Sequence, residues 1–332
     1  MARSADLLNG CSFTSRKKCY IGLCTACRCC HYNLINFVNK KQMNRSLQAK
    51  IETSIATIQR AARLAQNYTG RPLVVAFLGG KDSQTVYHLA AAAGVEFEAV
   101  YSATTIDPPE VVRFIRKHYP MVRFHVPKMS FWQLVEKTRI LPTRHMRYCC
   151  SVLKEATHQG RVTLTGVRRE ESAKRAKRQI LDINKKPRQF DEFERNDKID
   201  VQCFGNGKEK ITVNPILDWT ETDVWEYLNN VENAPHCELY DQGRHCVGCL
   251  FCPMKARKEI VDDMQRYPHQ FKRLKETVAK IAETSERFPN DPKAFLEWWL
   301  SGKSVHEFKA ARLPFPEVAP IVDLSFLIES ED

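Results

Sequence analysis

The sequence lacks any apolar run long enough to cross a bilayer as a helix. Its N-terminal part also lacks the compact apolar core of a secretory signal. There are no internal repeats and no low-complexity tracts, so the chain does not read as a repeat array. These absences favour a cytoplasmic globular protein and predict no membrane partner.

Acidic residues are scarce relative to basic ones, at 39 against 51, which gives a formal net charge of +12. A basic surplus favours an anionic partner such as a nucleotide, RNA or DNA. At 332 residues the chain is long enough to bury a sizeable core and to form one large domain or two.

Thirteen cysteines are many for a chain without a secretory signal, and they favour metal or redox chemistry over a disulfide framework. Six of them precede residue 31. The others are an adjacent pair, an evenly spaced trio and two isolated residues that we expect to be structural: Cys149 and Cys150; Cys246, Cys249 and Cys252; Cys203 and Cys237.

The stretch at residues 73–93 predicts an anion-binding turn between a strand and a helix. Residues 73–77 are all apolar, as in a buried parallel strand, and Gly79-Gly-Lys-Asp-Ser83 follows directly. Glycines let a phosphate approach the backbone, and a helix N-terminus offers unpaired donors. Lys81 adds a charge, while Asp82 or Ser83 can cap the helix. An ordinary capped turn is the alternative.

Strand and helix patterns then alternate along the chain, which predicts a parallel sheet covered by helices on both faces. Strands are expected at 95–101, 122–126, 161–165 and 211–216, and helices at 107–117, 131–137 and 220–228. Residues 179–210 are polar and aperiodic, so we expect a long surface loop or insertion. Residues 255–308 have a helical pattern with a break at 288–292.

Five motifs occur in an order that resembles the phosphoadenosine phosphosulfate reductase-like branch of the PP-loop ATP pyrophosphatase superfamily. The motifs are Gly79-Gly-Lys-Asp-Ser83, Arg147-Tyr-Cys-Cys-Ser-Val-Leu-Lys154, Thr165-Gly-Val-Arg-Arg-Glu-Glu-Ser172, Asn214-Pro-Ile-Leu-Asp-Trp-Thr-Glu-Thr-Asp-Val-Trp225, and Leu239-Tyr-Asp-Gln-Gly with Cys249-Leu-Phe-Cys-Pro253. The resemblance implies an α/β, adenine nucleotide α hydrolase-like fold, followed here by a helical C-terminal region.

The resemblance also implies a site for ATP or a related adenine nucleotide, with Mg as a candidate ion. The expected nucleotide-binding residues are Leu78, Gly79, Gly80, Lys81, Asp82, Ser83, Gly166 and Arg168. Of these, Lys81, Asp82 and Arg168 are the candidate catalytic residues. Asp82 is expected to be a helix cap or a metal contact. For Arg168 the alternative to ligand contact is an ordinary surface charge. Leu78 stands where the family usually has serine, so the loop lacks a hydroxyl and binding is a firmer expectation than turnover.

The cysteine spacing suits either a [4Fe–4S] cluster or zinc. In related assimilatory reductases that use adenosine phosphosulfate, an adjacent cysteine pair and a later Cys-x-x-Cys hold such a cluster. The candidate metal ligands are therefore Cys149, Cys150, Cys249 and Cys252, with Cys246 as a fifth candidate. Buried cysteines without a ligand are the alternative.

Three functions remain open at this stage. The first is ATP-dependent activation or sulfur transfer with an iron–sulfur cluster, with a sulfur donor protein and a nucleic acid acceptor as candidate partners. The second is a sulfonucleotide reductase, which we expect to be disfavoured because relatives carry a nucleophilic cysteine near the C-terminus and none follows Cys252 here. The third is a non-catalytic nucleotide-binding subunit of a nucleic-acid-modification or defence complex.

Three regions are expected. Residues 1–42 are cysteine-rich, basic and aperiodic, whereas helical spacing begins just after Met43, so this extension is expected not to be part of the native protein. Residues 43–253 would form the PP-loop nucleotide-binding domain with the cysteine cluster. Residues 254–332 would form the helical C-terminal region.

Overall fold

The computed structural model describes residues 45–183, 186–188 and 210–312, and these form two compact units. The first unit contains the described residues up to Ala103, together with Asp107–Val126 and Lys154–Gly248. The second contains Thr104–Ile106, Pro127–Leu153 and the described residues from Cys249 onward. The predicted extension at 1–42 lies outside the described residues, and the predicted domain boundaries stay predictions.

The elements are numbered here in chain order. The strands are β1 (Leu73–Ala76), β2 (Phe97–Ser102), β3 (Arg123–His125), β4 (Val162–Leu164), β5 (Leu181–Ile183), β6 (Lys186–Arg188) and β7 (Ile211–Val213). The helices are α1 (Arg45–Thr69), α2 (Lys81–Ala92), α3 (Pro109–His118), α4 (Phe131–Thr138), α5 (Tyr148–Leu153), α6 (Ala173–Ala176), α7 (Glu221–Glu226), α8 (Arg257–Arg266), α9 (Pro268–Glu283), α10 (Pro292–Ser301) and α11 (Val305–Arg312).

The first unit is built on a seven-stranded sheet with the order β3-β2-β1-β4-β7-β5-β6. The five strands from β3 to β7 in this order pair in parallel, while β5 runs antiparallel to both of its neighbours. Successive side chains of a strand point to opposite faces, and every residue of β4, β5 and β7 is buried. Both faces are therefore covered, and the predicted α/β class with a mostly parallel sheet is confirmed.

The expectation of a surface loop at 179–210 is wrong at its start, because residues 181–183 form β5 inside the sheet. The strand is only three residues long and has an aspartate at its centre, so no period was visible in the sequence. Asp182 is 2% exposed, and it tolerates burial because it accepts a hydrogen bond from the Asn214 side chain at 3.1 Å and forms an ion pair with Arg178 at 3.3 Å. Residues 189–209 of the predicted loop lie outside the described residues.

The predicted helical C-terminal region is present as α8 to α11 in the second unit. The α8 helix ends at Arg266 because Pro268 opens the next helix, and a proline at that position cannot continue the preceding one. Trp298 and Trp299 lie in the apolar core of this unit. The Trp299 indole N–H donates to the Pro142 carbonyl at 2.7 Å, which satisfies its buried polar atom.

No helix within the described ranges is long and apolar enough to cross a membrane.

The buried polar group at the end of β7 yields a test of the sheet. The Asn214 side-chain amide donates to the Gln179 carbonyl at 2.7 Å and to Asp182, so Asn214→Asp would set two buried carboxylates side by side. We expect a loss of unfolding free energy of about 2–4 kcal/mol in urea denaturation, from the repulsion and the lost donor. Adding Asp182→Asn to that variant should restore part of the loss, and a strictly additive double variant would contradict the contact.

Candidate functional site

The loop after β1 contains two adjacent glycines whose backbone is closely packed. Gly79 has a φ of +73°, in the left-handed region that favours glycine. A Cβ on Gly79 would lie 3.0 Å from side-chain atoms of Val111 and Ile115, and one on Gly80 would lie 3.1 Å from Val247. The backbone of both residues is therefore packed closely against its surroundings.

Gly80 is the N-cap of α2, and no side chain caps the helix. The expectation that Asp82 or Ser83 caps it is therefore wrong, because both residues lie inside the first turn. The Ser83 hydroxyl instead donates to the Gly80 carbonyl at 2.9 Å and accepts from the Leu78 N–H at 3.1 Å. This pair of hydrogen bonds ties the two ends of the loop together.

Lys81 is buried at the start of α2, with its side chain only 4% exposed. Its ammonium group donates to the His245 carbonyl at 2.7 Å and lies 3.2 Å from Glu221 Oε1. Its backbone N–H donates to the hydroxyl of Tyr240 at 2.9 Å. Burial raises the pKa of Tyr240, so this hydroxyl keeps its own hydrogen near neutral pH. A cation and polar hydrogens are thus gathered at the N-terminal end of α2.

Arg168 reaches the same helix from the loop after β4. It is 3% exposed, so the surface-charge alternative for this residue is wrong. Its Nε donates to Asp82 Oδ1 at 2.7 Å and its Nη1 donates to Glu170 Oε2 at 2.7 Å. Burial disfavours the charge, but Asp82, Glu171 and Glu170 outweigh that penalty, and the pKa of Arg168 lies above its ordinary value. The Asp82 carboxylate is engaged by this cation, and its predicted metal contact stays a prediction.

Gly166 brings the β4 loop against the backbone of α2. A Cβ on Gly166 would lie 2.8 Å from the carbonyl carbon and oxygen of Asp82, closer than real Cβ atoms approach. Both obstructing atoms belong to the main chain, so no side-chain rotation would relieve the contact. The structure therefore brings the predicted loop at 78–83 together with Gly166 and Arg168, the other two predicted nucleotide-binding residues, in one unit.

Leu78 lies at the rim of the loop with 39% of its surface exposed. Its backbone N–H donates to the Ser83 hydroxyl, a contact that any residue at this position could make. The difference from the serine that the family usually has is therefore confined to the side chain. Whether the missing hydroxyl weakens turnover stays a prediction.

Three residues of the loop around 240–247 complete this site and were not among the predicted site residues. They are Tyr240, His245 through its carbonyl, and Val247. Tyr240 lies in one of the motifs that carry the family resemblance, which was a usable signal. A backbone carbonyl contact such as that of His245 leaves no mark in a sequence.

Four of the predicted metal ligands belong to the second unit: Cys149, Cys150, Cys249 and Cys252. A hydrogen bond with Cys150, burial, and the nearby sulfurs of Cys150, Cys249 and Cys252 raise the pKa of the Cys149 thiol. The other three sulfurs are thus close enough to disfavour ionisation of the Cys149 thiol. The fifth candidate, Cys246, is an exposed residue of the first unit.

The four-cysteine group receives hydrogen bonds from other residues of the second unit. The Thr104 hydroxyl donates to Cys249 Sγ at 3.4 Å, and Arg147 Nη2 donates to Cys150 Sγ at 3.3 Å. Such donors favour the thiolate form that a metal requires. Phe251, between the cysteines of the later pair, has a φ of +52° and donates its N–H to the buried Asp263 carboxylate at 2.9 Å.

The four cysteines suit a metal group by their chemistry, but their geometry is not that of a single-ion site. Four thiols that would repel as thiolates are the ligands that zinc or an iron–sulfur cluster neutralises. Within the described residues, however, no group of three or more His, Cys, Asp or Glu side chains meets the geometry for holding a single ion. The metal ligands therefore stay a prediction.

The chain belongs to the phosphoadenosine phosphosulfate reductase domain family, whose characteristic pattern matches residues 72–255. That range includes the loop at Gly79, the buried Arg168 and the four cysteines of the second unit. The family predicted from the five motifs is therefore confirmed, and with it the adenine nucleotide α hydrolase-like fold.

Similar proteins span much of the chain at low identity. An uncharacterised protein of Methanocaldococcus jannaschii is 29% identical over 69% of this chain and 53% of its own length. The adenosine 5'-phosphosulfate reductase of Oceanobacillus iheyensis is 26% identical over 55% of this chain and 72% of its own length. The chain spans about half the length of the M. jannaschii relative.

Among solved structures, the phosphoadenylyl-sulfate reductase from Candida auris, in complex with phosphate, covers 63% of this chain and 96% of its own. It has 16% sequence identity and a TM-score of 0.40. The two structures overlap too loosely for the position of any residue to be transferred.

The contact at Gly166 yields a test of the site. Gly166→Ala should force the loop away from α2 and lower the unfolding free energy by about 1–3 kcal/mol, as overpacking does. Gly248→Ala is the matched control, because a Cβ there meets nothing within 4 Å. Thermal and urea unfolding of both variants measure the effect, and equal stability of the two would show that the close approach does not exist.

Proposed function

We propose that the chain binds an adenine nucleotide at the loop of residues 78–83 and uses ATP to activate an acceptor for sulfur transfer. The observation that carries the proposal is the buried ammonium of Lys81 at the N-terminal end of α2, next to two closely packed glycines. The free N–H groups of a helix N-terminus and a nearby cation stabilise phosphate oxygens. Membership of the reductase domain family supports a nucleotide as the ligand.

Each residue of the loop and its surroundings has a separate role in the proposed nucleotide binding. Backbone N–H groups around Gly79 and Gly80 would hold the β- and γ-phosphates, and Lys81 would exchange its contact with the exposed Glu221 for a phosphate oxygen. Arg168 would keep Asp82 and the first turn of α2 in place. Since Arg168 is already bonded to two carboxylates, its contribution is to hold the loop unless nucleotide binding releases it.

The activation step balances as an adenylyl transfer. An acceptor oxygen attacks the α-phosphorus of ATP, and the bond from that phosphorus to the bridging α–β oxygen breaks. Pyrophosphate leaves with the electron pair and is stabilised by Lys81 and the helix N-terminus. A sulfur nucleophile at the oxidation level of sulfide then attacks the activated carbon, and AMP leaves. A sulfur donor protein and a nucleic acid acceptor are the partners that this route would require.

The four cysteines of the second unit are proposed to hold a [4Fe–4S] cluster, with zinc as the alternative. Cys149 and Cys150 would come from α5, and Cys249 and Cys252 from the turn that Asp263 supports. A bound cluster would supply a site at which sulfur is held during transfer. Arg147 and Thr104 would hydrogen-bond its cysteine sulfurs, because they already donate to Cys150 and Cys249.

A sulfonucleotide reductase is the second candidate, and one observation favours it. The Oceanobacillus iheyensis protein is named an adenosine 5'-phosphosulfate reductase and is similar to 55% of this chain. In that reaction a thiolate attacks the sulfur of the phosphosulfate, and AMP or its 3'-phosphate leaves. Release of sulfite then needs a second thiol as reductant.

One assay separates these functions. Anaerobically reconstituted protein is incubated with radiolabelled ATP, with and without total tRNA as an acceptor probe, and separately with phosphoadenosine phosphosulfate or adenosine phosphosulfate and a thiol. We expect pyrophosphate release with ATP. Sulfite release would instead establish the reductase, and nucleotide binding without turnover would make the chain a binding subunit.

Lys81→Met is the variant that ties the activity to the loop. Removing one charge-assisted contact costs about 1.5–3 kcal/mol, so ATP affinity should fall by roughly 10- to 150-fold. Lys275→Met, on α9, is the control, since Lys275 is an ordinary cation of the second unit. Unchanged affinity of the Lys81 variant would place nucleotide binding elsewhere.

Metal content tests the cysteine group independently of activity. Anaerobic purification should yield a brown protein with a broad absorption band that contains iron and acid-labile sulfide. The Cys149→Ser and Cys252→Ser variants should each lose the iron and the sulfide. Cys237→Ala is the control, because Cys237 is a buried cysteine in the core of the first unit. Colourless protein with stoichiometric zinc would establish zinc instead. A Cys246→Ser variant that loses the metal would make Cys246 a ligand.

A further inference from the structure

A buried chain of hydrogen bonds leads to the loop from the interior of the first unit. Gln84, which is fully buried, donates from its side-chain Nε2 to the Gly79 carbonyl at 3.2 Å. Its Oε1 accepts from the Tyr119 hydroxyl at 2.9 Å. The same hydroxyl lies 3.1 Å from His88 Nε2, and His88 Nδ1 lies 3.2 Å from Glu232 Oε2. None of these four residues was among the predicted site residues.

The contact at Gly79 fixes the orientation of a peptide group in the loop. The structure contains no cis peptide bond in its described parts, so the Gly79–Gly80 peptide is trans. In a trans peptide the carbonyl and the following N–H point in opposite directions. Because Gln84 holds the Gly79 carbonyl toward the interior, the Gly80 N–H must point away from Gln84. That direction presents the N–H, rather than a carbonyl oxygen, to an incoming anion.

The opposite orientation is sterically accessible to this peptide, which is why a selecting contact is needed. Glycine populates positive and negative φ about equally, so a flip of the peptide before Gly80 meets a small intrinsic cost. A flipped peptide would present an oxygen to a phosphate oxygen and repel it. Gln84 disfavours that state, since the flip would break its bond to the Gly79 carbonyl and leave a buried amide N–H unsatisfied.

We propose that Gln84 is a positioning residue that selects the anion-binding orientation of the Gly79–Gly80 peptide, and that Tyr119, His88 and Glu232 hold its amide in the selecting orientation. The proposal rests on nucleotide binding at this loop. Gln84 touches neither the nucleotide nor the reacting atoms, and acts through the peptide.

The direction of each hydrogen bond follows from the donors available. The Gln84 nitrogen faces a carbonyl, so its oxygen must face Tyr119, and the single Tyr119 hydrogen is therefore used on Gln84. The Tyr119 oxygen is then left to accept from His88 Nε2 in the ring form that carries a hydrogen there. Glu232 Oε2 lies 3.2 Å from the other ring nitrogen, and Glu232 Oε1 accepts from the Tyr227 hydroxyl at 3.0 Å. A reversed Gln84 amide would set two oxygens against each other at Gly79.

The test uses a feature of the sequence, in which Gly79-Gly80 is the single Gly-Gly pair. Labelling with glycine that carries both carbonyl carbon-13 and nitrogen-15 makes the Gly80 amide the one resonance with a one-bond coupling to a labelled carbonyl. In the unsubstituted protein we expect one Gly80 resonance that shifts when inorganic pyrophosphate is added. Pyrophosphate and ATP affinities are measured on the same samples by calorimetry.

Gln84→Glu keeps the shape of the side chain but replaces the donor with an oxygen facing the Gly79 carbonyl. We expect the Gly80 resonance to move or double without ligand, and affinity for pyrophosphate to fall at least about tenfold. Tyr119→Phe removes only the hydroxyl that holds the Gln84 amide, and it should lower the affinity for pyrophosphate by roughly two- to tenfold. This variant provides the test if Gln84→Glu fails to fold.

Ser54→Ala is the matched control for loss of a buried hydrogen bond. The Ser54 hydroxyl is 1% exposed, donates to the Pro215 carbonyl at 2.7 Å and accepts from the Trp219 indole, away from the loop. It should lower stability while leaving the Gly80 resonance and the affinity unchanged. An unmoved Gly80 resonance and unchanged affinity in both Gln84→Glu and Tyr119→Phe would overturn the positioning role. If the unsubstituted protein bound neither pyrophosphate nor ATP, the proposed function would fail, while the ligand-free resonance would still decide the role of Gln84.

Discussion

The contact on which the first unit's site depends is the backbone approach of Gly166 to the first turn of α2. Because no Cβ intervenes, the loop after β4 comes close enough for Arg168 to bond Asp82. Arg168 is in turn held by Glu170, whose carboxylate also accepts the Glu221 N–H at 2.8 Å. Glu221 is the residue that faces Lys81. The absence of a side chain at Gly166 thus permits acidic and basic side chains to alternate around the start of α2.

That series explains how two cations can be buried beside the loop that is proposed to bind a nucleotide. An unpaired buried charge is costly, and here each cation has a carboxylate or carbonyl partner. Arg168 has two carboxylate partners, Asp82 and Glu170, each at 2.7 Å, whereas Lys81 has one, Glu221, at 3.2 Å. A phosphate can compete most easily for the cation that has fewer and more distant carboxylate partners. Lys81 is therefore the cation best placed for exchange, and Arg168 the one best placed to stay.

In the second unit, the local structure holds four cysteine thiols close together. Cys149 and Cys150 sit on a six-residue helix, while the later pair sits on a turn with a left-handed Phe251. Asp263, 1% exposed, accepts from the Phe251 N–H and from the Lys255 ammonium at 2.6 Å, so the turn is tied to α8. A non-glycine residue at positive φ persists where its surroundings hold it, and here a buried carboxylate does so.

Features that depend on local pattern are predictable from the sequence: the glycine loop between β1 and α2, the parallel α/β class, the helical C-terminal region and the grouping of cysteines. The five ordered motifs also determined the family. Tertiary structure alone decided which charges meet, because Arg168 and Asp82 are 86 residues apart in the chain. Packing likewise decided that β5 joins the sheet and that Tyr119 bonds Gln84, which is 35 residues away in the chain. Spacing along a chain predicts neighbours within a helix or strand, whereas contacts between distant segments follow from packing.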